Sequence, residues 1–145
     1  MQMKKAVVVL LSLFLLCSFG SIVKASGQIN ISEDSGADIS PRWSMIRFAT
    51  NDLEIDSFGK ASMTAFISGN SQVSSIRINS SLQRFNNGSW ITVSSWTRNY
   101  SGSTAFWSAS RYINRGNYYR LVTQFTVYGN GTQESTTRVS PIKYY

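Results

Sequence analysis

The chain has no histidine and a single cysteine, Cys17, which falls inside the one long apolar run it possesses. Beyond that run there is neither imidazole nor thiol. Nucleophile–base pairs built on His or Cys, imidazole or thiolate metal sites, and disulfides are therefore excluded from the rest of the chain. Acids are scarce too, seven against fourteen Lys and Arg. No stretch past the apolar run repeats apolar residues at the i, i+3, i+4, i+7 spacing of an amphipathic helix. Gly-rich phosphate loops and EF-hand spacing are missing, as are basic runs and nucleic-acid motifs. The expectation is a protein without metal, cofactor or nucleic-acid partner.

What is there begins with an export signal. Lys4 and Lys5 precede the apolar run of residues 6–19, and Val23-Lys24-Ala25 offers the small side chains a signal peptidase accepts. The run is shorter than the roughly 20 residues a helix needs to cross a bilayer, so cleavage after Ala25 is expected and no membrane span thereafter. Leu16 stands before Cys17 where a lipoprotein signal has a small residue, which makes Cys17 apolar filler. Removing residues 1–25 leaves a secreted chain of 120 residues without cysteine. A domain of that size buries about two-thirds of its unfolded surface and can stand on its core alone.

Charge divides unevenly along this remainder. Residues 26–56 hold six acids (Glu33, Asp34, Asp38, Asp52, Glu54, Asp56) and two arginines, whereas residues 57–145 hold nine cations and one acid, Glu134. Such asymmetry predicts a basic face suited to anionic polymers, membrane surfaces or acidic partners.

Residues 26–41 are polar and rich in Gly, Ser and Asp, a flexible lead-in that Pro41 closes. Residues 42–145 then alternate short runs of Ile, Val, Thr, Phe, Tyr and Trp with Gly/Asn/Ser punctuation about every ten residues. Strands are predicted at 43–48, 53–56, 60–68, 74–85, 89–97, 104–113, 117–128 and 133–140, the second as a possible continuation of the first. Seven to eight strands in one domain predict an all-β fold, an antiparallel sandwich of the immunoglobulin or fibronectin type III kind, with a small closed barrel as the alternative. Tyr118 or Tyr119, opening a late strand, suits the tyrosine that bonds back across a sandwich corner.

Asn87-Gly88 predicts a two-residue type I′ hairpin, because both central residues need positive φ. That turn pairs Asn86 with Ser89, Phe85 with Trp90, Arg84 with Ile91 and Leu82 with Val93. One face then collects Ile76, Ile78, Leu82, Ile91 and Val93; the other collects Phe85, Trp90 and Trp96 with Arg77, Asn79, Gln83, Thr92 and Ser94. Aromatic rings among amides, hydroxyls and Arg make a platform for sugar rings, and Phe85, Trp90, Trp96, Arg77 and Gln83 are the candidate ligand-binding residues. A β-bulge at Ser94-Ser95 would instead turn Trp96 inward. Trp107, between Ala105 and Ala109 on its strand face, reads as core.

Asp52, Glu54 and Asp56 are the one acidic cluster in the folded region, and paired carboxylates could hydrolyse glycosides; alternation puts all three on one strand face, opposite Leu53 and Ile55. An acidic solvent face or a loose calcium site is the simpler account, and no catalytic residue is assigned. Pro41-Arg42-Trp43-Ser44, Leu82-Gln83, Asn87-Gly88-Ser89-Trp90, Val93 with Trp96, Gly116-Asn117-Tyr118-Tyr119-Arg120, Val127-Tyr128 and Glu134-Ser135 together resemble a family of small secreted proteins of Gram-positive bacteria whose domain has no known function. The resemblance, over residues 41–135, implies an exported β domain and brings no active residues. The leading expectation is a secreted, non-enzymatic binding protein, extracellular or wall-associated, whose ligand is cell-wall polysaccharide or another anionic envelope polymer. A toxin, bacteriocin-like or immunity factor and a carboxylate-dependent hydrolase are the alternatives.

Overall fold

The computed structural model describes residues 43–145, which form eight strands and no helix. The expected signal and lead-in, with Cys17, Glu33, Asp34 and Asp38, lie outside the described residues. The strands are β1 (Ile46–Ile55), β2 (Lys60–Gly69), β3 (Ser75–Asn86), β4 (Ser89–Ser101), β5 (Thr104–Tyr112), β6 (Tyr118–Gly129), β7 (Thr132–Val139) and β8 (Lys143–Tyr144). The two short strands expected at 43–48 and 53–56 are one. Asn51 turns its amide inward there, and its Nδ2 donates to the Leu121 and Arg138 carbonyls and to Thr123 Oγ1, so the chain stays extended through the apparent turn signal. Among the described residues no helix is long and apolar enough to cross a membrane.

All pairings are antiparallel. One sheet runs β1-β2-β5 and the other β4-β3-β6-β7, with β8 taking up the β7 side of β6 beyond Pro141. This is the expected sandwich, in the strand order of the fibronectin type III kind. Strict alternation drives it. Ala61, Met63, Ala65 and Ile67 of β2 are buried while Ser62 and Thr64 are exposed, and β3 (Ile76, Ile78, Leu82) and β6 (Tyr119, Leu121, Phe125, Val127) close over them from the opposite sheet. Trp107 is buried as expected. Of the two corner candidates it is Tyr119 that turns inward, its hydroxyl donating to the Asn114 carbonyl at 2.9 Å.

The edge of β1 is closed by the polar inner face of β7. Glu134 Oε1 accepts from the Ser44 amide at 2.8 Å, and Oε2 accepts from the Met45 and Ile46 amides at 2.7 Å each. Next along β7, Arg138 donates to the Ala49 carbonyl and lies over the Trp43 ring. Within the core, Ser80 and Thr123 share a hydrogen bond that Asn51 extends from the facing sheet. At the opposite end from the Asn87-Gly88 turn, the loop before β3 crosses Gly129 so closely that a Cβ there would fall on the Gln72 carbonyl.

Two tests follow from these contacts. Gly129→Ala is expected to cost about 3 kcal/mol, the upper end for overpacking, because the obstacle is backbone; chemical denaturation measures it. For Glu134, burial raises the pKa, but the three amides and the Ser44 hydroxyl together lower it further, leaving it below the ordinary carboxylate value of 4.5. Its stabilisation is therefore complete above that ordinary value and disappears as pH falls through the lowered one. Glu134→Gln, which sets an NH₂ against amide donors, should cost about 2 kcal/mol at neutral pH and flatten the acid limb of a stability–pH curve.

Candidate functional site

The hairpin forms as its turn residues dictate. Asn87 (φ 48°) and Gly88 (φ 83°) are both left-handed, and Asn86 pairs with Ser89, Phe85 with Trp90 and Arg84 with Ile91. The register then shifts: Gln83 pairs with Thr92 but Leu82 pairs with Ser94, so Val93 is an extra residue in β4. Beyond this bulge parity reverses. Ser80 pairs with Trp96, which places Trp96 on the inner side, half-buried, its ring 5.5 Å from Trp107 of the facing sheet. The expectation that Trp96 stands on the outer face with Trp90 is thus corrected, as is the placement of Ser94. Both expected core residues of β4 shift outward somewhat: Val93 packs at the core margin and Ile91 is exposed.

The outer face of the β4-β3-β6-β7 sheet retains Phe85, Trp90, Gln83 and Arg77, and the structure adds three residues that the sequence reading did not select. Gln83 pairs with Arg120 across β3 and β6, and Arg120 Nε donates to Gln83 Oε1 at 2.9 Å. The Arg120 guanidinium lies 4.3 Å from the centre of the Trp90 ring, and Phe85 meets the same ring edge-on at 5.2 Å. Tyr118, two residues from Arg120 on the same face, packs on Tyr144 at 5.0 Å. Burial lowers the Arg120 pKa from its ordinary value, yet an arginine remains cationic at any physiological pH. The alternation of Tyr118, Arg120, Gln124 and Tyr128 with the buried Tyr119, Leu121, Phe125 and Val127 was the available signal.

Arg77 does not join this group. Six residues along β3 put it about 20 Å away, where it stacks on Tyr128 and donates to Asn99. Between the two arginine stations lies a shallow hollow of about 230 Å³, where Val122 and the edge of Trp96 join Asn79, Ser81, Thr97 and Gln124. Among the described residues no Asp or Glu lies on this face: Asp52 and Glu54 are on the outer side of β1, Asp56 follows that strand, and Glu134 points inward. The face therefore offers stacking rings, cations without a described carboxylate partner, and a floor of mixed polar and apolar side chains.

The acidic cluster is dispersed in role. Asp56 Oδ1 accepts from the Phe58 and Lys60 amides within its turn, and Glu54 pairs with Lys143 at 3.3 Å. Among the described residues no three His, Cys, Asp or Glu side chains group as metal ligands.

No family model matches the sequence, and no curated protein matches it. Among solved structures the chain is similar to Spo0M, a sporulation control protein from Bacillus subtilis, at 13% identity and a TM-score of 0.39 over 66% of this chain and 49% of that one. It is also similar to CsgH of R. palustris, at 7% identity and a TM-score of 0.36 over 62% of this chain and 90% of that one. The chain thus spans about half the length of Spo0M.

The two tryptophans of β4 should separate in a stability assay. Trp96→Ala is expected to cost about 2–3 kcal/mol, below the value for a fully buried ring, while Trp90→Ala costs under about 1 kcal/mol, as surface changes do; urea denaturation of both variants checks the split.

Proposed function

We propose that this is an exported, non-enzymatic protein that binds an anionic polymer or polysaccharide of the cell envelope through the outer face of its larger sheet. One observation carries the reading: Trp90, Phe85, Gln83 and Arg120 converge on a sheet face that holds no carboxylate. A sugar ring stacks on the exposed side of an aromatic ring while its hydroxyls find the neighbouring amides. An anionic group on the same polymer meets Arg120 without competition from an acid. The export signal, Lys4 and Lys5 followed by residues 6–19 and Ala25, supports the location.

Sedimentation of the protein without residues 1–25 with purified cell wall tests this. Binding is expected at low salt and should weaken steadily as salt rises. Trp90→Ala should reduce it about tenfold, the worth of one aromatic stack, and Arg120→Gln should reduce it and blunt the salt dependence. Wall binding that ignores salt and both substitutions would refute the proposal.

A further inference from the structure

The apolar side chains that the fold leaves in water are not spread evenly. The three most exposed large ones are Phe58 at 82%, Tyr112 at 72% and Tyr144 at 64%. All three stand at the end of the sandwich that carries the β1–β2 turn, the β5–β6 connection and β8. These rings do not belong to the Trp90–Arg120 group proposed above, although the Asn87-Gly88 hairpin and Tyr144 bring that sheet face to the same end.

The end is rigid although it protrudes. Asp56 Oδ1 holds the Phe58 and Lys60 amides, the Gly59 amide donates to the Asp56 carbonyl, and the Ile113 amide donates to the Gly59 carbonyl. Arg115 donates to the Ser57 carbonyl and to the Tyr145 hydroxyl, and it lies 5.0 Å from the Tyr145 ring centre. The turn that lifts Phe58 therefore has its polar backbone groups met from within, the condition for entering a medium poor in water. Exposed Lys60 pairs with Tyr112 across β2 and β5, and exposed Arg115 reaches the Ser57 carbonyl next to Phe58, whereas Arg111 turns to the Val93 carbonyl of the other sheet. Of the acids nearby, Glu54 is already paired with Lys143 and Asp56 is occupied by the turn.

We infer that this end docks on an anionic lipid surface, with Phe58 and Tyr112 entering the headgroup layer and Lys60 and Arg115 meeting lipid phosphates. Charge selects the occupant. Cations beside protruding aromatics fit a surface that is anionic at its plane and apolar beneath it, whereas an apolar protein groove would leave those cations unpaired.

The test is co-sedimentation of the protein without residues 1–25 with vesicles of phosphatidylcholine alone and of equal parts phosphatidylcholine and phosphatidylglycerol. Binding is expected to the anionic vesicles only. Phe58→Ala should weaken it about tenfold through lost apolar burial, and Lys60→Gln about fivefold through one surface cation. Phe106→Ala is the control. Phe106 is 58% exposed on the outer face of the smaller sheet, away from this end, and its loss should leave binding unchanged. Thermal unfolding of each variant verifies that the sandwich is intact. No vesicle binding, equal binding to neutral vesicles, an effect of Phe106→Ala as large as that of Phe58→Ala, or displacement by soluble glycerol phosphate would overturn the inference. Cell-wall sedimentation with Trp90→Ala reads the sheet face separately, so either proposal can fail while the other stands.

Discussion

Three consecutive backbone amides of this protein converge on one carboxylate. Ser44, Met45 and Ile46 all donate to Glu134, and through them the first strand of one sheet is fixed to an edge strand of the other. The inner face of β7 carries Glu134, Thr136 and Arg138 where an apolar strand face would be expected, and each position along it lies toward β1. A polar seam can close a sandwich edge because its hydrogen bonds are charge-assisted and end on backbone groups that would otherwise be unpaired. The seam also consumes the one acid of the C-terminal two-thirds of the chain. With Glu134 turned inward, the arginines on the outer face of the larger sheet have no carboxylate to neutralise them.

Four arginines of the fold, two of them on that face, are placed over rings. Arg77 lies on Tyr128, Arg115 on Tyr145, Arg120 on Trp90 and Arg138 on Trp43. Stacking keeps the guanidinium charge while covering its apolar faces, which explains why cations occur singly among Ser, Thr and aromatic residues. The basic balance of the chain is thus not one broad patch. Arg138 and Arg111 reach backbone carbonyls at the sandwich margins, and Arg84 stands on the inner face with its Nε buried and unpaired. The cations available to a ligand are concentrated on the outer face of the larger sheet and at the end near Phe58.

A single inserted residue decides which aromatics share that face. Without Val93, the parity set by the Asn87-Gly88 turn would carry Trp96 outward beside Trp90. With it, β4 reverses its faces midway, and Trp96 fills the open side of the sandwich against Trp107. The bulge does two things expected of bulges on edge strands, re-aiming a side chain and breaking the regular row of amides that would invite another strand.

Local signals carried most of the fold. Period-two alternation marked the strands, Asn87-Gly88 set the hairpin register near the turn, and the small residues around Trp107 marked it as core, because each depends on neighbours within a few positions in the chain. The candidate site was legible only in part: Phe85, Trp90 and Gln83 fall together, Arg77 lies apart and Trp96 leaves. Arg120 enters from a strand 37 positions away from Gln83, and neither residue names the other in sequence. The bulge weighed as the alternative at Ser94-Ser95 falls at Val93, and it turns Trp96 inward against Trp107, a partner on the facing sheet that no local signal names. By itself the sequence determined what each strand could bury; the tertiary structure decided which strands met, and register between distant strands is set by packing across the core rather than by any local propensity.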